Sequence, residues 1–482
     1  MTITAASTPL PLFAPRTVTI IALVLLTLAV RLPALGDPNY HMDEQFYLLF
    51  GEAITQGAVP YIDVWDRKPI GLFLLYAGFA LFGDGLLAYQ IGAMAAAGGT
   101  AILVALIVKR RTGWPVAAAA GLVYLLCLEV FMGGGGQSPV FYNLPVVGAA
   151  VLLIRASERD GPITGQHLAM LLCGLAVAIK PTAVFEGAGL AFGFLWLMQR
   201  RGVPAIGLLK TVASMVAIGA VSSLLGIAAA FAWGAGPAYL HAVFVSIFER
   251  TGEGALGWAQ AAKMFALISP LLIPALAFAA FGKARMLVTL WLGGALLGFV
   301  AVPNFFVHYT LPLFPPMIVA AFWVLPRERT RIVYAAFLIA VTTLIFGWPS
   351  AGPHDRARVT TAALARTVSA HLNGGCLWVH DGPISLYRET GACTVTPYLF
   401  PEHLNFARER FALGRPAGEA AAAALAAQPA VIVTRPEPLV SAPNRKTAAM
   451  LEAALAADYR RVAVLPERSV EWERDVEIWA RR

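Results

Sequence analysis

Ionisable residues crowd into one short stretch of an otherwise hydrophobic chain, between His41 and Pro69. The stretch holds five acidic side chains and two adjacent bases, namely Asp43, Glu44, Glu52, Asp63, Asp66, Arg67 and Lys68. A carboxylate can remove a proton from a hydroxyl, and Lys and Arg can hold a phosphate. Ionisable groups near a bilayer are costly unless they pair, face water or bind a ligand. The stretch is therefore the first candidate for a functional site, with an ordinary solvated loop as the alternative.

The composition indicates a membrane protein. Hydrophobic residues make up 58% of the 482 residues, charged residues only 13%, and the mean hydropathy is +0.69. The net charge of +8 is spread over short loops between apolar segments, a pattern that orients membrane proteins. We therefore expect no nucleic-acid partner. The first apolar segment has the length of a span and no small-residue cleavage site after it, so it is interpreted as a retained helix.

Apolar runs and loop charges predict eleven membrane-spanning helices. They lie near residues 17–35, 86–108, 114–132, 141–155, 165–180, 182–199, 207–233, 264–282, 286–302, 309–325 and 331–350. In this topology the basic loops share one side with Arg16, and the positive-inside rule makes that side cytoplasmic. Residues 36–85 then form the first external loop. The apolar segment 70–82 is too short to cross a core of about 30 Å, so we expect it to lie in the external interface.

The same topology places three further polar segments on the external side. They are Lys180-Pro181-Thr182, residues 235–263 with Glu249 and Arg250, and residues 304–316 with His308 and Tyr309. Taken singly, these residues also fit interfacial side chains, and Glu249 with Arg250 fits a local surface ion pair. Together with the first loop they favour a site for a lipid-linked phosphate, in which a carboxylate deprotonates an acceptor hydroxyl and cations stabilise the departing phosphate.

The order of these motifs resembles the GT-C fold glycosyltransferases that use polyprenyl-phosphate sugars. This group includes protein mannosyltransferases, lipid A aminoarabinose transferases and the Rgt-like galacturonosyltransferases. The resemblance covers roughly residues 15–350. It rests on Asp43-Glu44, Tyr47, Gly57, Pro60-Tyr61, Asp66-Arg67-Lys68-Pro69, Leu81-Phe82-Gly83, Lys180-Pro181-Thr182, and His308-Tyr309 with Pro312 and Pro315.

The resemblance implies a role for each matching residue. Asp43 would be the catalytic base, and Glu44 would orient the site, bind a metal or contact the sugar. The implied donor-phosphate ligands are Arg67, Lys68, Lys180, His308 and Tyr309. The further site candidates are Tyr61, Asp66 and Arg250. His308 stands where many relatives carry arginine, so its charge depends on pH. A divalent metal at Asp43, Glu44 and Asp66 is left open, because relatives do not uniformly need one.

Residues 351–482 carry more charge and predict a small α/β domain with a partly parallel sheet, on the external side. Its candidate strands are 377–380, 394–397, 431–434, 462–465 and 476–479, and its candidate helices lie near 417–427 and 446–457. Cys376 and Cys393 open the first two candidate strands and would form a disulfide in an oxidising periplasm if those strands are neighbours. Cys127 and Cys173 fall within spans as apolar fillers. Residues 133–136 are all glycine without a following lysine, and they predict a flexible external loop.

These patterns predict an α-helical polytopic protein of the bacterial inner membrane, with a GT-C-like catalytic domain over residues 1–350 and a periplasmic α/β domain over 351–482. The N-terminus would be cytoplasmic. We expect a glycosyltransferase that passes a sugar from a polyprenyl-phosphate carrier to an extracytoplasmic glycolipid, polysaccharide or protein, with inversion of the anomeric centre. A transporter or flippase of lipid-linked sugars is the alternative, although such proteins more often show internal repeats. A structural subunit that presents the C-terminal domain to partners would leave the Asp-Glu and Lys-Pro motifs unexplained.

Overall fold

The computed structural model describes residues 14–250, 255–302, 304–470 and 472–482. The α-helices in these ranges are α1 (Pro15–Arg31), α2 (Met42–Thr55), α3 (Ile70–Ala80), α4 (Gly85–Val108), α5 (Trp114–Val130), α6 (Ser138–Glu158), α7 (Gln166–Ile179), α8 (Ala183–Arg200), α9 (Ala205–Ala232), α10 (Gly236–Leu240), α11 (Ala255–Phe281), α12 (Met286–Val300), α13 (Phe314–Val324), α14 (Glu328–Phe346), α15 (Ala351–Leu372), α16 (Ser385–Thr390), α17 (Glu402–Asn405), α18 (Ala417–Ala426) and α19 (Arg445–Asp458). The strands are β1 (Leu377–Val379), β2 (Val431–Thr434), β3 (Tyr459–Arg468) and β4 (Glu473–Arg481).

The chain is an α-helical polytopic membrane protein, and every predicted span coincides with a helix. The matching helices are α1, α4 to α9 and α11 to α14. Within the described residues, seven helical segments are long and apolar enough to cross a membrane. The span predicted at 309–325 is divided into a 3₁₀ segment, Val307–Leu313, and α13, because Pro312 and Pro315 interrupt the α-helical hydrogen bonding. Helix α11 begins well before residue 264, so part of the segment predicted as a loop is helical, while residues 251–254 of that loop lie outside the described residues.

Helices α2 and α3 follow the first span and form most of residues 36–85, the segment called the first external loop after its predicted side. The side chain of His41 caps α2 by accepting the amide of Asp43 at 3.1 Å, and acids in the first turn suit the helix dipole. The rings of Phe50 and Phe73 stack with centroids 3.7 Å apart and join α2 to α3. A Cβ at Gly51 would lie 2.6 Å from the α3 backbone, so glycine permits this close approach. The eleven residues of α3 rise about 16 Å, too little to cross a bilayer core.

The glycine run 133–136 is buried, so the prediction that it forms a flexible loop is wrong. Arg31, at the end of α1, donates hydrogen bonds of 2.9 and 2.7 Å to two of its carbonyls. Tyr76 donates to a third at 2.5 Å, and the amide of Gly136 donates to the buried carboxylate of Glu44. Every residue of the run is buried, so the absence of side chains lets the backbone itself be packed. The run therefore anchors α1 and α2 to the start of α6.

The C-terminal part contains a four-stranded sheet in the order β1-β2-β4-β3, with β1 parallel to β2 and the other pairs antiparallel. This confirms the prediction of a small, partly parallel α/β unit. The predicted strand 394–397 is wrong, because it makes only one bridge, from Thr394 to β1. The chain then leaves the sheet, and the carbonyl of Pro397 accepts the amide of Trp65 in the first external loop at 3.0 Å. A disulfide joins Cys376 to Cys393, a pairing that the sequence left open.

Ion pairs fix the C-terminal part against the first external loop. His354 on α15 lies 2.8 Å from Asp37. Arg388 on α16 contacts Glu52 at 2.9 Å and Asp84 at 3.0 Å, which lie on α2 and just before α4. The sheet is thereby held over the ends of the spans that carry the candidate site.

Gly135→Ala tests the packing of the glycine run. An added Cβ would meet the carboxylate of Glu44, which is fully buried and cannot move aside without losing its bond to the amide of Gly136. We expect a lower midpoint of thermal unfolding in detergent, corresponding to a loss of about 1–3 kcal/mol for the unpaired groups. Gly78→Ala, on α3 with open space around its Cβ, is the control and should leave the midpoint unchanged or slightly raised. Equal midpoints for the two variants would contradict this packing.

Candidate active site

A cavity of about 540 Å³ lies where the first external loop, the turn after α7, the segment between α10 and α11 and the 3₁₀ segment meet the C-terminal part. Eight of the ten site residues predicted from the sequence line it, namely Asp43, Asp66, Arg67, Lys68, Lys180, Arg250, His308 and Tyr309. Glu44 and Tyr61 do not. The four segments that were expected to converge on one membrane surface therefore contribute to a single cavity.

Asp43 lies in the first turn of α2 at the wall of the cavity. One carboxylate oxygen is 3.8 Å from the ammonium of Lys68, and the other accepts a hydrogen bond of 2.9 Å from Gln137 and lies 3.7 Å from His308. Burial by itself raises the pKa of Asp43, but the charge of Lys68, with smaller contributions from His41, His308 and the hydrogen bond from Gln137, lowers it by more, so the pKa lies well below its usual range. Asp43 is therefore ionised at neutral pH.

Lys68 lies between two carboxylates and over aromatic rings. Its ammonium is 3.4 Å from Asp66, whose carboxylate also accepts the backbone amide of Lys68 at 2.8 Å. The ammonium lies 5.0 Å from the ring centroid of Tyr47, a distance that permits a cation–π contact. Burial lowers the pKa of Lys68, but Asp66 and Asp43 raise it by more, so the side chain keeps its charge. Asp43, Lys68 and Asp66 thus form a line of alternating charges.

Lys180 supplies a second ammonium to the cavity from the turn between α7 and α8. Helix α7 ends at Ile179, and Pro181 directs the chain into α8. The ammonium of Lys180 lies 4.1 Å from the ring centroid of Tyr309, which comes from the 3₁₀ segment. Snorkelling would direct the ammonium of Lys180 into bulk water. The contact with the Tyr309 ring instead holds it at the cavity.

Glu409, from the C-terminal part, forms ion pairs with three arginines at the edge of the cavity. The carboxylate is 1% exposed and is gripped by both terminal nitrogens of Arg67, the longer contact being 3.3 Å. Arg250 lies 2.7 Å from it and Arg408 lies 3.6 Å from it. Burial raises the pKa of Glu409, but Arg67 and Arg250 lower it by more, so it is ionised. Arg67, for which the resemblance implies a donor-phosphate role, therefore links the first external loop to the C-terminal part.

The interpretation of Glu249 and Arg250 as a local surface ion pair is wrong. Arg250 turns inward to Glu409, whereas Glu249 pairs with His241 at 3.1 Å. Adjacent residues point in different directions, and a buried carboxylate offers Arg250 the more strongly desolvated partner.

Glu44 and Tyr61 stand behind the cavity wall. Neighbouring residues on a helix do not share a face, so Asp43 faces the cavity while Glu44 faces the glycine run. Burial raises the pKa of Glu44 to about 7. Tyr61, whose φ of 66° is left-handed, donates a 2.8 Å hydrogen bond to the carbonyl of Lys68. Tyr61 thus contacts the backbone of Lys68 and not the cavity.

The side chains placed to hold a metal ion differ from the set suggested by the sequence. Asp43, Glu44 and Asp66 do not converge, because Glu44 faces away. Donor atoms of His41, Asp43 and His308 all lie within 4.8 Å of one another, and such an N/N/O set suits Zn²⁺ or a related ion.

Gln137, buried behind the cavity wall, and four residues of the cavity lining carry no sequence signal that pointed to them. Gln137 bonds to Asp43, and its place directly after the glycine run is the one available clue. Glu402, His403, Arg408 and Trp472 enter from the C-terminal part, where no motif marks them.

No family model matches the chain, and no curated protein matches its sequence. Its fold does match solved structures. ArnT from Cupriavidus metallidurans in the apo state aligns with a TM-score of 0.60 and 13% identity over 96% of this chain and 97% of that chain. The same protein bound to undecaprenyl phosphate aligns with a TM-score of 0.59 and 14% identity over the same shares. The chain has the GT-C fold. Because the alignment covers nearly all of both chains, the GT-C likeness includes the C-terminal sheet.

Glu409→Gln tests the link between the cavity and the C-terminal part. The substitution removes the negative charge that compensates three arginines, and leaving buried charges unpaired costs about 3–5 kcal/mol. We expect a clearly lower midpoint of thermal unfolding in detergent. Glu249→Gln removes one carboxylate of an exposed pair and should change the midpoint little, because such pairs contribute about 0–1 kcal/mol. A wild-type midpoint for Glu409→Gln would contradict the proposed link.

Glu44→Gln tests the buried carboxyl behind the cavity. The pKa of Glu44 is raised from 4.5 to about 7, so between these values the unfolded chain has lost a proton that the folded protein retains. This group therefore destabilises the folded protein progressively from pH 4.5 to about 7 and by a constant amount above, up to about 3 kcal/mol. The stability of Glu44→Gln relative to wild type should rise over that range and then level off, measured as unfolding midpoints against pH. Glu452→Gln, an exposed carboxyl on α19, is the control, and a parallel profile for both variants would refute the assignment.

Proposed function

We propose that this protein is an integral membrane glycosyltransferase that takes a sugar from a polyprenyl-phosphate carrier and transfers it to a hydroxyl of an extracytoplasmic glycolipid, polysaccharide or protein. One observation carries the proposal: an ionised carboxylate, Asp43, lies 3.8 Å from the ammonium of Lys68 in a cavity of about 540 Å³. The GT-C fold supports it, since ArnT has this fold and binds undecaprenyl phosphate.

Lys68 and Lys180 are the proposed ligands of the donor phosphate. Both ammonium groups line the same cavity, and Lys180 lies at the end of a span, where the polyprenyl tail can remain among the helices in the lipid. Positive charge at this position stabilises the phosphate as the bond between it and the sugar breaks. Arg250 and Arg67 lie farther along the wall and are held by Glu409, so they contribute a fixed positive field.

Asp43 is the proposed base. It takes the proton of the acceptor hydroxyl, the hydroxyl oxygen forms a bond to the anomeric carbon, and the bond from that carbon to the phosphate oxygen breaks. The phosphate leaves with the electron pair, and a single displacement inverts the anomeric centre. A carboxylate with a strongly lowered pKa is a weak base. A phosphate bound to Lys68 would neutralise the largest charge that lowers this pKa, so donor binding would itself strengthen the base.

Metal binding is compatible with the same site. His41, Asp43 and His308 would hold a divalent ion, which supplies additional positive charge for the leaving phosphate when it is bound. With an ion bound, Asp43 would be one of its ligands, so the role of Asp43 as base described above applies to the metal-free site. The distribution of basic loops supports a bacterial inner-membrane location with the cavity and the C-terminal sheet outside.

The reaction is tested in proteoliposomes that receive a panel of polyprenyl-phosphate sugars and a crude envelope fraction as acceptor, with release of free polyprenyl phosphate as the readout. Asp43→Asn should lower turnover by about 10²- to 10⁴-fold while donor binding survives. Lys68→Met should weaken donor binding. Asp160→Asn, an exposed acid between α6 and α7, is the matched control and should behave as wild type.

Three outcomes would change the proposal. Full turnover in Asp43→Asn would remove this residue from the mechanism. Release that requires no acceptor would indicate hydrolysis. No release with any donor, together with movement of a labelled lipid-linked sugar between leaflets, would favour a flippase.

A further inference from the structure

A second recess lies at the opposite end of the helices that frame the candidate active site. Its volume is about 200 Å³, and it is bounded by the start of α1, the end of α4, the start of α5 and the end of α6. Helix α6 starts directly after Gln137, which contacts Asp43, and its 21 residues rise about 30 Å. The recess is therefore at the far membrane face from the cavity, on the side that the basic loops predict to be cytoplasmic.

Cations dominate the rim of this recess. They are Arg16, Lys109, Arg110 and Arg155. Of these four, Arg110 alone pairs with a carboxylate among the described residues, that of the exposed Glu158. The ammonium of Lys109 lies 5.2 Å from the ring centroid of Trp114. Like charges around one small recess repel each other, and an anion between them would relieve that repulsion.

The wall of the recess is apolar. It consists of Leu106, Ile107, Val151 and Ile154, on α4 and α6. Trp114 completes the lining, and tryptophan is enriched at the level of lipid head groups. A ligand that fits both parts must carry a phosphate at one end and hydrocarbon at the other.

Other basic residues in the described loops donate hydrogen bonds to backbone carbonyls, which three of the four cations at the recess do not. Arg201 donates hydrogen bonds of 2.6 to 2.8 Å to three backbone carbonyls, and Arg331 donates to the carbonyls of Phe322 and Arg111. Those arginines hold loops together. Arg16, Lys109 and Arg155 donate no side-chain hydrogen bond to any residue that the structure describes. Membrane orientation requires their charge, but it does not require them to surround a recess with an apolar wall.

We propose that this recess binds an anionic phospholipid of the bilayer, with its phosphate among the four cations and an acyl chain along α4 and α6. Basic pockets between membrane helices are suited to phosphorylated lipid head groups. The proposal is independent of the reaction at the cavity, since it concerns other residues at the other ends of the helices.

The test uses the purified full-length protein, delipidated in detergent, with the thermal unfolding midpoint as the readout. Phosphatidylglycerol should raise the midpoint of wild type, whereas phosphatidylethanolamine and inorganic phosphate should not. Lys109→Gln/Arg155→Gln should bind phosphatidylglycerol about 30-fold more weakly and lose the shift, since each cation near a lipid surface contributes about 1 kcal/mol. Arg285→Gln/Arg329→Gln removes the same charge from exposed positions outside the recess, just before α12 and in the first turn of α14, and should retain the shift.

Either of two results would overturn the proposal. Inorganic phosphate that reproduces the shift would identify a simple anion site, and equal loss in both double variants would indicate unspecific surface charge.

If the first double variant does not fold, native mass spectrometry of single variants decides. Arg155→Lys should retain bound phosphatidylglycerol and Arg155→Gln should lose it, and equal retention by both would refute the site.

Discussion

Compensation of buried charge holds the cavity together. Glu409 lies 342 residues from Arg67 in the chain, yet its carboxylate is inaccessible to solvent and contacts Arg67, Arg250 and Arg408. Removing one partner from such a cluster leaves a charge without water or counter-ion, so the cluster is stable only as a whole. The cluster therefore fixes the relative positions of three segments: the first external loop, the segment before α11 and the C-terminal part. These positions determine the shape of the cavity.

The same constraint separates two neighbouring carboxyls. Asp43 is surrounded by positive charge and hydrogen-bond donors, so it is ionised, whereas burial against the glycine run brings the pKa of Glu44 close to neutrality. Helix geometry causes the difference, because consecutive residues on α2 point to different environments. An Asp-Glu pair in the sequence thus becomes one group that faces the cavity and one that fixes the helix carrying it.

The spans and the sheet were predictable because their signals are local. Apolar runs locate the helices to within a few residues in most cases, and the four observed strands coincide with short apolar runs. The lining of the cavity was predictable where motifs are dense, as at Asp43 and Lys68. Glu409 and Arg408 were missed because their importance arises only from tertiary contact with residues far away in the chain. The prediction for the glycine run was wrong because Arg31 and Tyr76 donate hydrogen bonds to its buried backbone. No sequence pattern indicates these two contacts.

The cavity has two unlike walls, and this bears on how two substrates would share it. Lys180 lies in the turn between α7 and α8 and Tyr309 in the 3₁₀ segment before α13, whereas Glu402 and Trp472 come from the C-terminal part. A donor with a polyprenyl tail has to approach from the lipid, so under the proposed function its phosphate meets the first wall. The acceptor then meets the second wall, with Asp43 between the two. Selection of the acceptor would accordingly reside in the C-terminal residues, which explains why the fold keeps them locked to the first loop by buried ion pairs.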